Sequence, residues 1–142
     1  MTVQTARSDS DILKCWPAMY ALRPHLLESE FISKIKAFQT RGYTLVFVEE
    51  DGRAASVAGF RFIDHLLYGK MLYIDDLSTL AECREKGHGS RLLDWIFDYA
   101  KTQSCDEVHL DSGHHRHDAH RLYLNKGFRI ISHHFAKKLV QV

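Results

Sequence analysis

The stretch from Lys70 to Ser112 constrains the fold more than any other. "KMLYIDDLST" reads as a strand whose near-continuous apolar start suggests burial on both faces. From Ser90, residues Leu92, Leu93, Ile96, Phe97 and Ala100 recur at helical spacing, and "DEVHLDS" then reads as a short strand. A strand–helix–strand unit brings the chain back in its original direction, so its two strands are expected to be parallel. Upstream, "YTLVFVEE" and "RAASVAGFRFID" flank Asp51-Gly52, a hairpin signal, and a hairpin is antiparallel. One chain carrying both patterns predicts a mixed sheet with flanking helices, in the α/β or α+β class.

The rest of the chain fits around that unit. "TVQTA" is a weak first strand. "DSD" can cap a helix through Ile12, Leu13, Trp16, Met19 and Tyr20, which Pro17 should kink or break. A second helix runs from about Glu28, with Phe31, Ile35 and Phe38 inward, and stops at Gly42. "HDAHRLYLNKG" predicts a helix ending at Gly127, and "FRIISHHFAKKLV" one or two closing strands. There is no internal repeat, low-complexity tract or linker, so residues 1–142 are expected to form a single domain.

Lys and Arg total 19 against 18 for Asp and Glu, which gives no argument for nucleic acid or an anionic membrane as partner. No apolar run approaches the roughly 20 residues that span a bilayer, and "MTVQTARSDSD" lacks the features of a signal peptide. Cys15, Cys83 and Cys105 are scattered and in no CxxC pattern. They read as free thiols in a reducing compartment, the cytoplasm, and not as a zinc site.

The motif with chemical content is "CREKGHGSRLL". Gly87 and Gly89 stand where a helix starts, with Arg84 and Lys86 adding charge. A helix N-terminus leaves amide N–H groups without partners and is electropositive, so a bare backbone there can hold phosphate. A Walker loop is excluded, because there is no GxxxxGK[ST]. The dinucleotide pattern GxGxxG would need a third glycine where Leu92 stands.

Arg84-x-x-Gly87-x-Gly89 on a strand-to-helix turn resembles the acetyl-CoA signature of the GNAT N-acetyltransferase superfamily. Ala119, Tyr123, Gly127 and Phe128 form "AxxxYxxxGF", which resembles the second half of the same family core. The resemblance covers Tyr43 to Leu139. It implies a GNAT-like acyl-CoA N-acyltransferase fold: a mostly antiparallel mixed sheet with one splayed parallel pair, Met71–Thr79 and Glu107–Ser112. It implies acetyl-CoA as co-substrate, with no metal. The pantetheine arm would pair with backbone at Leu77 and Thr79, and amides from Glu85 through Lys86, Gly87, His88 and Gly89 to Ser90 would hold the pyrophosphate, with Arg84 assisting. Arg116 stands where the family often has Asn, so it either meets a CoA phosphate or faces solvent.

The resemblance also assigns roles in catalysis. Tyr123 would be the general acid for the departing thiolate, and a phenol of pKa about 10 suits that task. "YIDDL" resembles the polyamine acetyltransferase branch, which makes Asp75 either the general base or a substrate-positioning residue. Strand alternation places residues 73, 75, 77 and 79 on one face and Asp76 on the other, where Asp76 would bond a neighbouring loop or helix end. Arg23 and His25 could meet an acidic group on the substrate, but they read better as solvated loop charges.

The histidines at 109, 114, 115, 117, 120, 133 and 134 lack a zinc-type spacing such as HExxH. A role at the mouth of a binding site suits them better. The expected activity is acetyl transfer to a primary amine of a small molecule or peptide. A non-catalytic acyl-CoA-binding or sensing domain is the alternative, and assembly as a homodimer is left open.

Overall fold

The computed structural model describes residues 2–113 and 116–140. The chain divides into two compact units, residues 1–110 and 111–142, and each is described by itself.

The first unit carries a five-stranded sheet in the order β1-β2-β3-β4-β5. The strands are β1 (Val3–Thr5), β2 (Thr44–Glu50), β3 (Arg53–His65), β4 (Gly69–Thr79) and β5 (Glu107–Leu110). The first four pair antiparallel; β4 and β5 are parallel, from Met71↔Glu107 to Ile74↔Leu110. This is the mixed sheet that the strand–helix–strand and hairpin patterns require. Asp51 (φ 54°) and Gly52 (φ 78°) both take positive φ between β2 and β3. That geometry matches the right-handed twist of the flanking strands.

Helices cover both faces. On one, α1 (Asp9–Lys14), α2 (Trp16–Leu22) and α3 (Glu28–Gln39) lie over a core that includes Ile12, Met19, Phe31, Ile35, Leu45, Phe47 and Val57. The first helical pattern splits at Cys15, and Pro17 sits in the opening turn of α2, where its missing N–H costs nothing. Phe38 is not inward as expected. It is 40% exposed, with its ring edge-on to Tyr43 at 5.7 Å and the Arg41 guanidinium over it at 5.5 Å.

On the other face lies α4 (His88–Thr102), which starts two residues before Ser90. It buries Leu92, Leu93, Ile96 and Ala100, and Tyr99 meets Phe60 at 5.8 Å and Phe62 at 6.2 Å. No helix among the described residues is long and apolar enough to cross a membrane.

The second unit holds α5 (His117–Asn125), which leads through Lys126 into Gly127 at φ 93°. Two expectations fail around it. The strand at 107–112 stops at Leu110, and the closing strands at 128–140 are not formed. A strand exists only by pairing, and among its described residues this unit has one helix and no strand to pair with.

Candidate active site

The glycine loop follows β4 through a short 3-10 turn, Ala81–Cys83. Arg84 is extended (φ −69°, ψ 161°) and exposed. Glu85 (φ 64°) and Gly87 (φ 81°) then turn left-handed, and Gly87 caps α4 without a side-chain bond. A Cβ at Gly87 would meet nothing within 4 Å, so the backbone conformation is what demands glycine there. The first bond of the helical ladder runs from the Arg91 amide to the Gly87 carbonyl at 3.0 Å. The amides of His88, Gly89 and Ser90 therefore stand ahead of the ladder, without a capping oxygen.

The Lys86 side chain, expected to add charge at the loop, is engaged elsewhere, and so is that of His88. Lys86 Nζ donates to Glu50 Oε1 at 2.9 Å, and His88, which is buried, bonds Glu50 Oε2 through Nε2 at 3.0 Å. These bonds, with Lys86 first, hold the Glu50 carboxyl down at about 2, and the Lys86 ammonium is raised in turn. An ionised Glu50 only accepts, and Arg91 Nη1, 3.3 Å from His88 Nδ1, only donates. The imidazole therefore carries its proton on Nε2. Lys86 and His88 fasten the loop to the end of β2, leaving Arg84 and Arg91 as the cations of the motif without an ion pair among the described residues. Glu50 had no motif to mark it; its place beside the Asp51-Gly52 turn was the available signal.

Strand β4 is interrupted by a bulge. Gly59 pairs with Asp76 and Phe60 with Ile74, so Asp75 is an extra residue opposite no partner. Its pairing with β5 ends at the same point, at Ile74↔Leu110. Beyond it, the Leu80 amide donates to Ala55 of β3 at 2.9 Å, and the Ser78 carbonyl accepts from Ser56 Oγ at 3.1 Å. Backbone groups of residues 78 and 80 thus turn toward β3. By alternation those of Leu77 and Thr79 turn to the opposite edge, which has no partner strand among the described residues.

The bulge also overturns the expected faces. Directly opposed residues share a side of the sheet. Leu77 opposes Ala58 and Thr79 opposes Ser56, on the side of Phe60 and α4, whereas Asp76 opposes Gly59 and Tyr73 opposes Arg61 on the other side. Asp75 and Asp76 therefore share the face covered by α1, α2 and α3. Asp75 does not lie on the side of Leu77 and Thr79.

Both acids carry a partner there. Asp76 accepts from Arg23 Nε at 3.1 Å and from Tyr43 Oη at 2.8 Å. Arg23 also donates through Nη2 to the Asp75 carbonyl at 2.9 Å, so it is a structural tie and not a loop charge. Asp76 thus bonds a helix end, as expected of it. Burial holds the Tyr43 phenol well above its ordinary value, with the Asp76 charge adding to that, so it stays the donor. Asp75, with 26% side-chain exposure, receives Arg61 Nε at 2.9 and 3.2 Å. Burial raises the Asp75 carboxyl above the usual range, against the lowering effect of Arg61.

Tyr123 and Arg116 belong to the second unit. Tyr123 is buried on α5, with its ring edge-on to Phe128 at 5.9 Å, and burial raises its phenol while Arg116 opposes the rise. Arg116 caps α5 through its backbone, its amide donating to Gly113 at 3.0 Å. His120 bonds the Gly113 carbonyl at 2.8 Å, and His109 bonds Glu107 at 2.6 Å. His114 and His115 lie outside the described residues. Among those described, no group of three His, Cys, Asp or Glu is set to hold a metal ion.

This fold is that of an acetyltransferase. It matches the solved structure of a putative acetyltransferase from Agrobacterium tumefaciens str. C58 with a TM-score of 0.83, at 21% identity, covering 97% of this chain and 99% of that one. It matches glucosamine-6-phosphate N-acetyltransferase from Arabidopsis thaliana at a TM-score of 0.79 and 20% identity, covering 99% and 100%. The chain belongs to the acetyltransferase (GNAT) family, whose model matches residues 10–128. A relative in Bacillus subtilis (strain 168), described as the uncharacterized N-acetyltransferase YhdJ, is 35% identical over 132 residues, 92% of this chain and 93% of that protein. The chain is accordingly an N-acetyltransferase.

Proposed function

We propose that the protein transfers acetyl from acetyl-CoA directly to a primary amine. The observation that carries this reading is the open edge of β4 at Leu77 and Thr79, followed within ten residues by the uncapped N-terminus of α4. The edge suits the amide groups of a pantetheine arm, which would add as a strand does. The amides of Glu85 to Ser90, with Arg84, suit a pyrophosphate. Acetyl-CoA supplies the thioester that the amine nitrogen attacks.

The protein's part is to move protons. Asp75 takes a proton from the attacking amine, through a water if its short side chain requires one. Tyr123 donates a proton to the sulfur as the carbon–sulfur bond breaks and the carbon–nitrogen bond forms. The raised Tyr123 phenol keeps that proton available throughout the neutral range. The family match across residues 10–128 supports reading both units as one catalytic domain.

Tyr123→Phe tests the assignment. Acetyl-CoA affinity should hold while single-turnover transfer falls about 10²-fold or more, the usual scale for a lost acid. Transfer near the wild-type rate would remove the proton-donor role from Tyr123.

A further inference from the structure

We infer that the acceptor is an amine that also carries an anionic group, a carboxylate or a phosphate, and that Arg61 receives that group beside Asp75. This rests on the reading of Asp75 as the base that meets the attacking amine.

Three observations carry it. First, Arg61 uses only Nε on Asp75, and its two terminal amino groups make no hydrogen bond among the described residues. Second, its side chain is 50% exposed, yet its guanidinium is held over the Tyr73 ring at 5.2 Å. A guanidinium fixed on one side by a carboxylate and beneath by a ring loses little further freedom when its free fork takes a planar or tetrahedral anion. Third, the acids that suggest a polycation site are already neutralised. Asp75 pairs with Arg61 and Asp76 with Arg23, two cations for two anions. A polyamine would have to displace an arginine and leave it unpaired on a half-buried face, which is costly. An amine with its own acid meets the pair in alternating order: its nitrogen lies against the Asp75 carboxylate and its anion against the Arg61 fork.

The test pairs transfer with binding. Wild type and Arg61→Gln are assayed with acetyl-CoA against glycine, glutamate, glucosamine 6-phosphate, the amino acid methyl esters, unphosphorylated glucosamine, butylamine and spermidine. Binding of the same amines to the CoA-loaded protein is followed by calorimetry. The anionic amines should be preferred over their neutralised counterparts. Arg61→Gln should raise their KM about tenfold or more, with CoA affinity unchanged, as expected for a lost charge-assisted contact to the substrate. Amino acids and the sugar phosphate separate carboxylate from phosphate as the group received. Equal or better transfer to esters, butylamine or spermidine overturns the inference and leaves acetyl transfer standing. Binding of anionic amines through Arg61 without transfer keeps the inference and overturns the catalytic reading. Failure of every anionic amine to bind or react overturns the inference.

Discussion

Gly59→Ala should destabilise the protein by far more than one methyl group suggests. A Cβ at Gly59 would lie 1.7 Å from Tyr43 Oη and 2.3 Å from its Cζ. The Tyr43 ring is buried and rigid, so it cannot yield at its tip alone. Displacing it overpacks the core, at about 1–3 kcal/mol, and strains or breaks the bond to Asp76, which for a charged acceptor contributes about 1.5–3 kcal/mol. The two are not strictly additive, and we expect a loss of about 2–5 kcal/mol. At a urea slope of about 2 kcal/mol per molar, the unfolding midpoint falls by about 1–2.5 M. The control is the same change in a Tyr43→Ala background. With the ring gone, Ala at position 59 should be neutral or slightly stabilising, because it suits a strand better than glycine. A cost below about 0.5 kcal/mol in the wild-type background would refute the reasoning. An equal cost in both backgrounds would show that Tyr43 is not its cause.

Three further outcomes are expected. Glu50 is held at about 2 against an ordinary 4.5, so its stabilisation is complete above 4.5 and lost as pH falls toward 2. Glu50→Gln should therefore lower the melting temperature at pH 7 and differ less from wild type at pH 3; a gap independent of pH would show that Lys86 and His88 gain nothing from the charge. Gly89→Val places branched bulk among the first-turn amides of α4, and calorimetry should show acetyl-CoA binding lost with the fold intact; unchanged binding would refute the loop assignment. Asp75→Asn should lower kcat about 10²-fold, with a smaller change in KM. In the wild type the rate should fall as pH drops through the raised Asp75 value, and Arg61→Gln should move that limb to higher pH, since Arg61 opposes the rise.

Much of this was legible because it rests on local periodicity. The hairpin at Asp51-Gly52 and the helix through Leu92, Leu93 and Ile96 follow from spacing within a dozen residues, and the parallel return at Val108 follows from the strand–helix–strand order of such segments. The opposition of Arg61 to Tyr73 was also within reach, by counting back from the turn that pairs His65 with Gly69. The bulge was not. It adds one residue to β4 between Ile74 and Asp76, and the apolar alternation changes no letter to announce it. Partners of buried polar groups were equally hidden: Glu50 lies 36 residues from Lys86 and Arg23 lies 53 from Asp76, and no local pattern joins them.

The bulge nevertheless ties the parts of the site together. Without it, strict alternation would place Asp76 beside the α4 face and leave Asp75 opposite Gly59. With it, both acids turn to the face of α1, α2 and α3, where Arg23, Tyr43 and Arg61 reach them. The same extra residue coincides with the end of pairing to β5, so the edge opens where the acids change sides. One local irregularity thus puts the start of the backbone edge proposed for the pantetheine arm, at Leu77, within two residues of Asp75, the carboxylate proposed as base. Gly59 is part of that device: only a residue without Cβ leaves the Tyr43 ring room to cross the sheet and hold Asp76, the residue that closes the bulge.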